Sequence, residues 1–331
     1  MRAFKCGHCG QLLFFENSRC LRCRRPQGFV ASKLDLVVLD DGAGAKWSRC
    51  SNAELARCNW VVEHHDPAGL CMSCRLTKTR PADTDLDGLK QFAVAEGAKR
   101  RLIFQLLDLG LPIGSDLGFD LLSSEQRVVT TGHADGVITL DLAESDDVRR
   151  EQRRVELDEP YRTTLGHFRH EIGHYYWPII VEHAGHLDEF RRLFGDERID
   201  YQQAIDRHYE EGPPADWQRS FVSAYATMHP WEDWAETFAH YLHICDTLET
   251  AAEFGLVVAG PHDLDDPALM AAPSADVLEG SFDAIVRNWL PLTYALNALN
   301  RSMGADDLYP FTLAERVIRK LSFVHERVAG G

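Results

Sequence analysis

The sequence predicts an α+β protein in which a small, cysteine-rich β module precedes a larger, mostly helical body with a small β element. Eight of the nine cysteines lie among the first 74 residues, and apolar residues recur at helical spacing through most of the later chain. One β-hairpin pattern, at residues 127–142, interrupts the helical body. The polar segment 77–85 contains Pro81 and is the best linker candidate. We therefore predict two domains, residues 1–80 and residues 81–331.

The composition indicates a globular protein without a membrane span. Hydrophobic residues make up 45% of the 331 residues and charged residues 26%. No apolar run reaches the ~18 residues that a transmembrane helix needs. The chain starts MRAFKCGHCG, so a cysteine pair occurs before an apolar signal region could form. We therefore expect a cytoplasmic protein with no membrane partner.

The formal charge of −16 divides unevenly along the chain. Residues 1–80 carry 13 Lys+Arg against 7 Asp+Glu, and the remainder carries 22 against 44. The acidic body excludes non-specific nucleic-acid binding, because that binding needs cations to displace counterions. Eight thiolates around two Zn²⁺ ions would bring the basic segment close to neutrality. Nucleic acid is therefore not an expected partner.

The first four cysteines form two CxxC knuckles, CGHC and CLRC, which are separated by ten residues. Each knuckle offers two thiolates from one tight turn, and two such turns can face each other across a tetrahedral Zn²⁺ ion. A disulfide framework could use the same cysteines, but disulfides are rare in the reducing cytoplasm. We therefore predict a structural Cys₄ zinc ribbon. Its predicted ligands are Cys6, Cys9, Cys20 and Cys23.

A second group of four cysteines is spaced less regularly. Seven residues separate its first two cysteines, and the knuckle CMSC follows after twelve more. The spacing predicts a second structural Cys₄ site, for which His64 or His65 are alternative ligands. Four thiolates leave no open coordination position, so both sites should stabilise the fold. The predicted ligands are Cys50, Cys58, Cys71 and Cys74, whereas the isolated Cys245 should be a buried apolar side chain.

Spacing and capping signals predict the remaining elements in order. Short strands are expected within residues 1–30 and at 34–42, and the hairpin should turn at Asp135-Gly136. The charged segment 146–160 should be partly helical. We further predict that the strand 137–142 pairs with an extended substrate. Helices are expected at 86–109, from Tyr161 to about Pro178, and at about 200–210, 215–226, 230–255, 275–300 and 311–328.

The stretch LGHFRHEIGHYYW carries the pattern HExxH. On a helix, His170 and His174 lie one turn apart on one face, so both imidazoles can reach one metal ion. Glu171 lies beside them, where it can take a proton from a metal-bound water. A surface helix with incidental histidines is the alternative. The apolar residues around the cluster instead indicate a buried helix whose polar groups need partners.

Two histidines leave the predicted metal site incomplete. The extended metzincin pattern is excluded, because it requires Gly and His where the chain has Trp177 and Ile180. His167 shares the helix face, but one helix can hardly place three ligands around a tetrahedral ion. His183 and His186 follow the HExxH helix and are further candidates.

A better source of the third ligand is the segment SAYATMHPWEDWAETFAHYLH. Pro230 can open a helix at its first position. Glu232, Glu236 and His240 then share one face of that helix. Four aromatic residues around them indicate that the helix is packed, and carboxylates on a packed helix are costly unless they are paired.

These segments resemble known zinc peptidases. HEIGH followed by SAYATMHPWEDWAE is similar to gluzincins such as anthrax lethal factor. With CGHC, CLRC and CMSC included, the full chain resembles bacterial zinc-binding metallopeptidases that carry an N-terminal zinc ribbon. The resemblance implies a zincin-like body, with Glu232 as the third zinc ligand and Glu236 as a second carboxylate. It also implies a role for Tyr225, the tyrosine seven residues before the ligand.

The residues and the resemblance together predict a zinc metallopeptidase with one catalytic and two structural Zn²⁺ ions. Glu171 would be the general base, Tyr225 would stabilise the oxyanion, and Glu236 would orient a ligand histidine. The expected substrate is a peptide or protein, and the zinc-ribbon module could dock a protein partner. The alternative is a zinc-stabilised protein-binding module with a catalytically silent HExxH site.

Overall fold

The computed structural model describes residues 2–39, 45–63, 66–124, 129, 131–145, 163–264 and 266–330. The chain forms two compact units, Met1–Phe168 and Arg169–Gly331. Strands are concentrated in the first unit and helices in the second, so the predicted α+β class is confirmed. His64, His65 and the predicted helical segment 146–160 lie outside the described residues.

The first unit begins with three small antiparallel sheets of two strands each. The predicted strand at 34–42 is present over its described part. The three pairs are β1 (Phe4–Lys5) with β2 (Leu12–Leu13), β3 (Gln27–Val30) with β4 (Asp35–Val38), and β5 (Trp47–Arg49) with β6 (Val61–Glu63).

A four-stranded sheet follows, in the order β7-β8-β10-β9. Its strands are β7 (Thr77–Thr79), β8 (Gly118–Leu122), β9 (Gly132–Ala134) and β10 (Val137–Asp141). The predicted hairpin is confirmed as β9–β10, and Asp135 and Gly136 at its turn both have positive φ. The prediction that strand 137–142 pairs with substrate is wrong, because β10 lies between β8 and β9 and already pairs with both.

The first unit has an aromatic core to which a helix contributes. A short helix, α1 (Met72–Arg75), precedes α2 (Leu86–Asp108), which confirms the helix predicted at 86–109. Phe104 of α2 lies 5.1 Å from Phe15 and 5.6 Å from Phe29 between ring centroids. All three rings are at most 1% exposed. Helix α2 therefore packs into the same core as the cysteine-bearing strands.

The second unit consists mainly of helices. Five predicted helices are confirmed, while the short α4 was not predicted. None of the helices in the described ranges combines the length and apolarity that a bilayer crossing needs. The helices are α3 (Thr164–Trp177), which continues as a π-helical turn at Pro178–Glu182, α4 (Leu187–Phe194), α5 (Tyr201–Glu211), α6 (Pro230–Glu253), α7 (Phe282–Ser302) and α8 (Glu315–Ala329).

The prediction of a helix at 215–226 is wrong. This segment instead forms two 3₁₀ turns, Trp217–Arg219 and Tyr225–Thr227, joined by irregular backbone. The hydroxyl of Ser223 accepts a hydrogen bond from the backbone N–H of Ala226 (3.1 Å). Serine side chains that bond the nearby backbone compete with helix formation. The turn directs Tyr225 and Ser223 toward α6.

Candidate metal centre

Helices α3 and α6 approach each other closely at Gly173. A Cβ built on Gly173 would lie only 3.0 Å from the Cα of Ala235 and 3.2 Å from the Cβ of Phe238. The indole N–H of Trp234 donates to the carbonyl oxygen of Gly173 (2.8 Å). Only glycine permits such a close approach without displacing backbone. The glycine within HEIGH therefore brings the two helices together beside the histidines.

Three side chains converge where these helices meet. Nε2 of His170 lies 3.2 Å from Nε2 of His174 and 3.0 Å from Oε2 of Glu232. Nε2 of His174 lies 3.4 Å from Oε1 of Glu232. A tetrahedral Zn²⁺ with ligand distances of about 2.0–2.2 Å separates its ligand atoms by about 3.3–3.6 Å. The His₂Glu donor set and its spacing therefore fit a zinc ion.

The first four cysteines converge in the same way. Sγ of Cys6 lies 3.7 Å from Sγ of Cys23, and Sγ of Cys9 lies 3.6 Å from Sγ of Cys20. A Zn–S distance of 2.3 Å places tetrahedral sulfur atoms about 3.8 Å apart. Burial acts to raise the pKa of the Cys6 thiol, but hydrogen bonds from the N–H groups of His8 and Cys9 lower it to about 6. The knuckle thus favours the thiolate that binds metal.

The second four cysteines form a more deeply buried group. Cys50, Cys58, Cys71 and Cys74 are each at most 5% exposed, and their ligand atoms lie within 4.8 Å of one another. Sγ of Cys58 lies 3.6 Å from Sγ of Cys71. Helix α2 supports this site, because Nη2 of Arg100 donates to the carbonyl oxygen of Ala56, two residues before Cys58 (3.1 Å).

Sequence comparison agrees with this set of metal sites. Residues 88–327 match a family described as "putative zinc-binding metallo-peptidase". Residues 3–85 match a zinc-ribbon domain. The chain belongs to this metallopeptidase family. Zinc is therefore the metal that the family, the cysteine groups and the His₂Glu group indicate, and the family supports a zinc hydrolase that acts on peptides or proteins.

Relatives of this metallopeptidase occur in mycobacteria. Proteins from Mycobacterium tuberculosis and Mycobacterium bovis, each described as uncharacterized, are 56% identical to it over 333 aligned positions. The aligned region covers 98% of this chain and 94% of each relative. No solved structure matches the chain significantly.

Further side chains of the metallopeptidase hold the histidine and glutamate in place. Nδ1 of His170 lies 2.7 Å from Oε1 of Glu236, and the hydroxyl of Ser223 donates to the other oxygen of Glu236 (2.6 Å). The hydroxyl of Tyr201 donates to Oε1 of Glu232 (2.8 Å). In the neutral ring that donates Nδ1–H to Glu236, the lone pair of His170 lies on Nε2, the atom that faces the other ligands.

The electrostatics of the site favour a cation. Burial opposes a charge on His170, yet its hydrogen bonds to Glu232 and Glu236 raise its pKa well above the ordinary value. Burial also acts to raise the pKa of Glu236, but the hydrogen bond with His170 lowers it to about 2. The pKa of Glu232 is lowered in the same manner, against burial, by His174 and His170. Buried carboxylates that stay ionised require a neighbouring positive charge, which a metal ion can supply.

Tyr225 lies beside His170. The two ring centroids are 5.9 Å apart. Burial, followed by the nearby charge of Glu232, raises the pKa of Tyr225 far above the ordinary value. Its hydroxyl therefore stays protonated and can donate. Glu171 follows His170 on α3 and is 7% exposed.

Other sequence candidates lie elsewhere. Within the described part of the chain, the grouped ligand atoms in this unit belong to His170, His174 and Glu232, and do not include His167, His183 or His186. His186 accepts a hydrogen bond from Nη1 of Arg327 (2.7 Å), and the side chain of His183 is 74% exposed. His240, which was predicted to share a helix face with Glu232 and Glu236, is hydrogen-bonded to the hydroxyl of Tyr309 (2.7 Å).

Tyr201 and Ser223 were missed by sequence reasoning. Tyr201 precedes Glu232 by 31 positions and lies on a different helix, and Ser223 opens the segment that carries the resemblance but was given no role. One weak signal was available for Tyr201, because it directly follows Asp200, the N-cap of α5. That signal fixes where the helix begins but not what its first residue contacts.

Proposed function

We propose that this protein hydrolyses a peptide bond at a zinc ion held by His170, His174 and Glu232. The observation that carries the proposal is the convergence of two histidine nitrogens and one glutamate carboxylate to within 3.0–3.4 Å, close to the separation of ligand atoms around a tetrahedral ion. When bound there, zinc would act as a Lewis acid and bring the pKa of a water molecule close to ~7. Three protein ligands leave one position open, which distinguishes this site from the closed cysteine sites.

Four side chains have distinct proposed roles around this position. Glu171 accepts a proton from the attacking water and passes it to the leaving amine. Tyr225 donates a hydrogen bond to the oxyanion that develops from the scissile carbonyl. Glu236, itself held by Ser223, keeps His170 in the tautomer and orientation that present Nε2. This is the gluzincin arrangement that the sequence resemblance implies.

We propose a structural role for the cysteine groups. Each would hold one Zn²⁺ within a zinc-ribbon module of residues 1–80, followed by a catalytic domain of residues 81–331. The matches to residues 3–85 and 88–327 support this division by sequence. Helix α2 follows the ribbon in sequence but shares its core, because Phe104 of α2 packs against the ribbon residues Phe15 and Phe29. A protein partner or substrate could dock on the ribbon module.

The proposal is tested by separating metal content from hydrolysis. Purified wild-type protein should contain about three zinc ions per chain, one for each group of ligands. Glu232→Ala should lose one of them, whereas Glu171→Gln should keep all of them and lose cleavage of a peptide library followed by mass spectrometry. Glu210→Gln, an exposed change on α5, is the matched control and should alter neither property.

Two results would decide against the proposal. Full zinc content in Glu232→Ala would refute the ligand assignment. Equal cleavage by wild type and Glu171→Gln would refute the role of the base. If the wild-type protein binds its zinc but cleaves no member of the library or of a bacterial proteome, the zinc-stabilised binding module becomes the better description.

A further inference from the structure

A tyrosine on helix α5 contacts the glutamate of the metal centre. The hydroxyl of Tyr201 donates to Oε1 of Glu232 at 2.8 Å. The other oxygen, Oε2, lies 3.0 Å from Nε2 of His170. The carboxylate is therefore held at both ends, by a histidine on one oxygen and by a phenol on the other. Glu232 is 2% exposed, so water contributes little to holding it.

Two further contacts fix the position of Tyr201. It is the first residue of α5, whose N-cap Asp200 accepts a hydrogen bond from the backbone N–H of Gln203 (2.8 Å). Its ring packs edge-on against the ring of His229, with centroids 5.1 Å apart. The phenol is thus held by backbone capping on one side and by an aromatic contact on the other.

His229 connects this tyrosine to the helix that carries Glu232. Nδ1 of His229 accepts a hydrogen bond from the backbone N–H of Trp231 at the start of α6 (3.1 Å). Its proton must therefore lie on Nε2, which donates to the carbonyl oxygen of Ile199 (3.2 Å). One neutral tautomer satisfies both bonds. The start of α5 is consequently tied to the start of α6, and Tyr201 is placed over Glu232.

We propose that Tyr201 is a positioning residue for the metal ligand Glu232, and that α5 is part of the metal centre through it. The proposal rests on the zinc site proposed above. By donating to Oε1, the phenol holds the carboxylate in one orientation, with Oε2 next to Nε2 of His170 and Oε1 next to Nε2 of His174. Groups that orient metal ligands in this way contribute about 10–100-fold to metal affinity.

The test is the zinc affinity of Tyr201→Phe, which removes the hydroxyl and keeps the ring. Affinity is measured by competition with a chromophoric chelator, on protein whose cysteine sites remain loaded. We expect a Kd about 10–100-fold higher than in the wild type. Tyr209→Phe on the same helix, where the side chain is 70% exposed, should stay within about twofold. With the cysteine sites loaded, the far-ultraviolet circular dichroism of both variants should match that of the wild type, which shows that the fold is retained.

A double-mutant cycle separates positioning from a general structural effect. If Tyr201 acts through the Glu232 carboxylate, Tyr201→Phe should have little further effect on zinc affinity in a Glu232→Gln background. An equal loss in both backgrounds, or an unchanged Kd in Tyr201→Phe alone, would overturn the proposal. Failure of the underlying zinc site is a different result, since wild-type protein would then bind zinc only at its cysteine groups.

Discussion

The close contact at Gly173 gives the most quantitative prediction. In Gly173→Ala, the new Cβ would lie 3.0 Å from the Cα of Ala235, 3.2 Å from the Cβ of Phe238 and 3.3 Å from the carbonyl oxygen of Ala235. Carbon atoms in comfortable contact are about 3.5–4.0 Å apart. Two of the three nearest atoms are backbone atoms, so a side-chain rotation cannot relieve the overlap. Helices α3 and α6 must instead separate by about 0.5 Å.

Two opposing terms set the size of the effect. Alanine is favoured over glycine in a helix by about 1 kcal/mol. Overpacking of a close contact costs about 1–3 kcal/mol. We therefore expect Gly173→Ala to lower the free energy of unfolding by up to about 2 kcal/mol. The matched control is Gly97→Ala in α2, where the nearest atom to the new Cβ is Nη2 of Arg100 at 3.9 Å. This variant should gain about 1 kcal/mol.

Separation of the two helices should also weaken metal binding. The histidines lie on α3 and Glu232 lies on α6, so the 3.4 Å distance between Nε2 of His174 and Oε1 of Glu232 would lengthen beyond the ~3.3–3.6 Å that a tetrahedral ion gives. Metal–ligand distances tolerate only about 0.2 Å of change. We expect zinc affinity to fall at least about tenfold, measured by chelator competition beside urea unfolding followed by tryptophan fluorescence. Equal stabilisation of Gly173→Ala and Gly97→Ala, with zinc affinity retained, would refute this reasoning.

Four other changes have expected outcomes. Glu236→Gln should weaken zinc binding about 10–100-fold in chelator competition, because the carboxylate no longer orients its histidine; wild-type affinity would contradict that role. Cys58→Ser should lower the zinc content by one ion per chain and Cys245→Ser should not, as measured by elemental analysis; a loss in both would argue against the ligand set. Phe104→Ala should cost about 3–5 kcal/mol in urea unfolding, since its ring fills the ribbon core; a cost below about 1 kcal/mol would mean that α2 is not part of that core. Burial lowers the pKa of His240 from 6.5 to about 4, so the unfolded chain binds a proton that the folded chain does not. The free energy of unfolding should therefore fall by about 1.4 kcal/mol per pH unit as pH drops from 6.5 to about 4. In His240→Gln, this contribution of His240 to the pH dependence of the free energy of unfolding should be absent.

The sequence predicted best those features that depend on local spacing. The HExxH pair and the CxxC knuckles bring their own ligands within reach through one helical turn or one tight turn. His170 and His174, and likewise Cys6 and Cys9, follow from that geometry without knowledge of the fold. The helix that begins at Pro230 could also be predicted, because the proline and the two acidic residues after it signal a helix start. Glu232 was predicted as a ligand from its residue type and from the resemblance to known zinc peptidases. Its distance from the histidines could be learned only from the fold.

Features that depend on tertiary contacts could not be predicted from the sequence. The segment 215–226 has helical spacing of its apolar residues, but the hydroxyl of Ser223 bonds the local backbone and the neighbouring carboxylate of Glu236 instead. The strand at 137–142 looked available for substrate because sequence gives no information on pairing order. Likewise, no periodicity could indicate that Phe104 would pack beside Phe15, almost ninety residues earlier in the chain.

The arrangement of charges explains how the site keeps two buried carboxylates ionised. Glu232 lies in the first turn of α6, where the helix dipole and the free backbone N–H groups favour a negative charge. Glu236, one turn later, has no such advantage and is paired with His170 and Ser223 instead. His170 is hydrogen-bonded to both carboxylates, and these bonds raise its pKa against the effect of burial. A zinc ion held by His170, His174 and Glu232 would supply positive charge beside these same carboxylates, so the donor set and the local charges favour the same occupant.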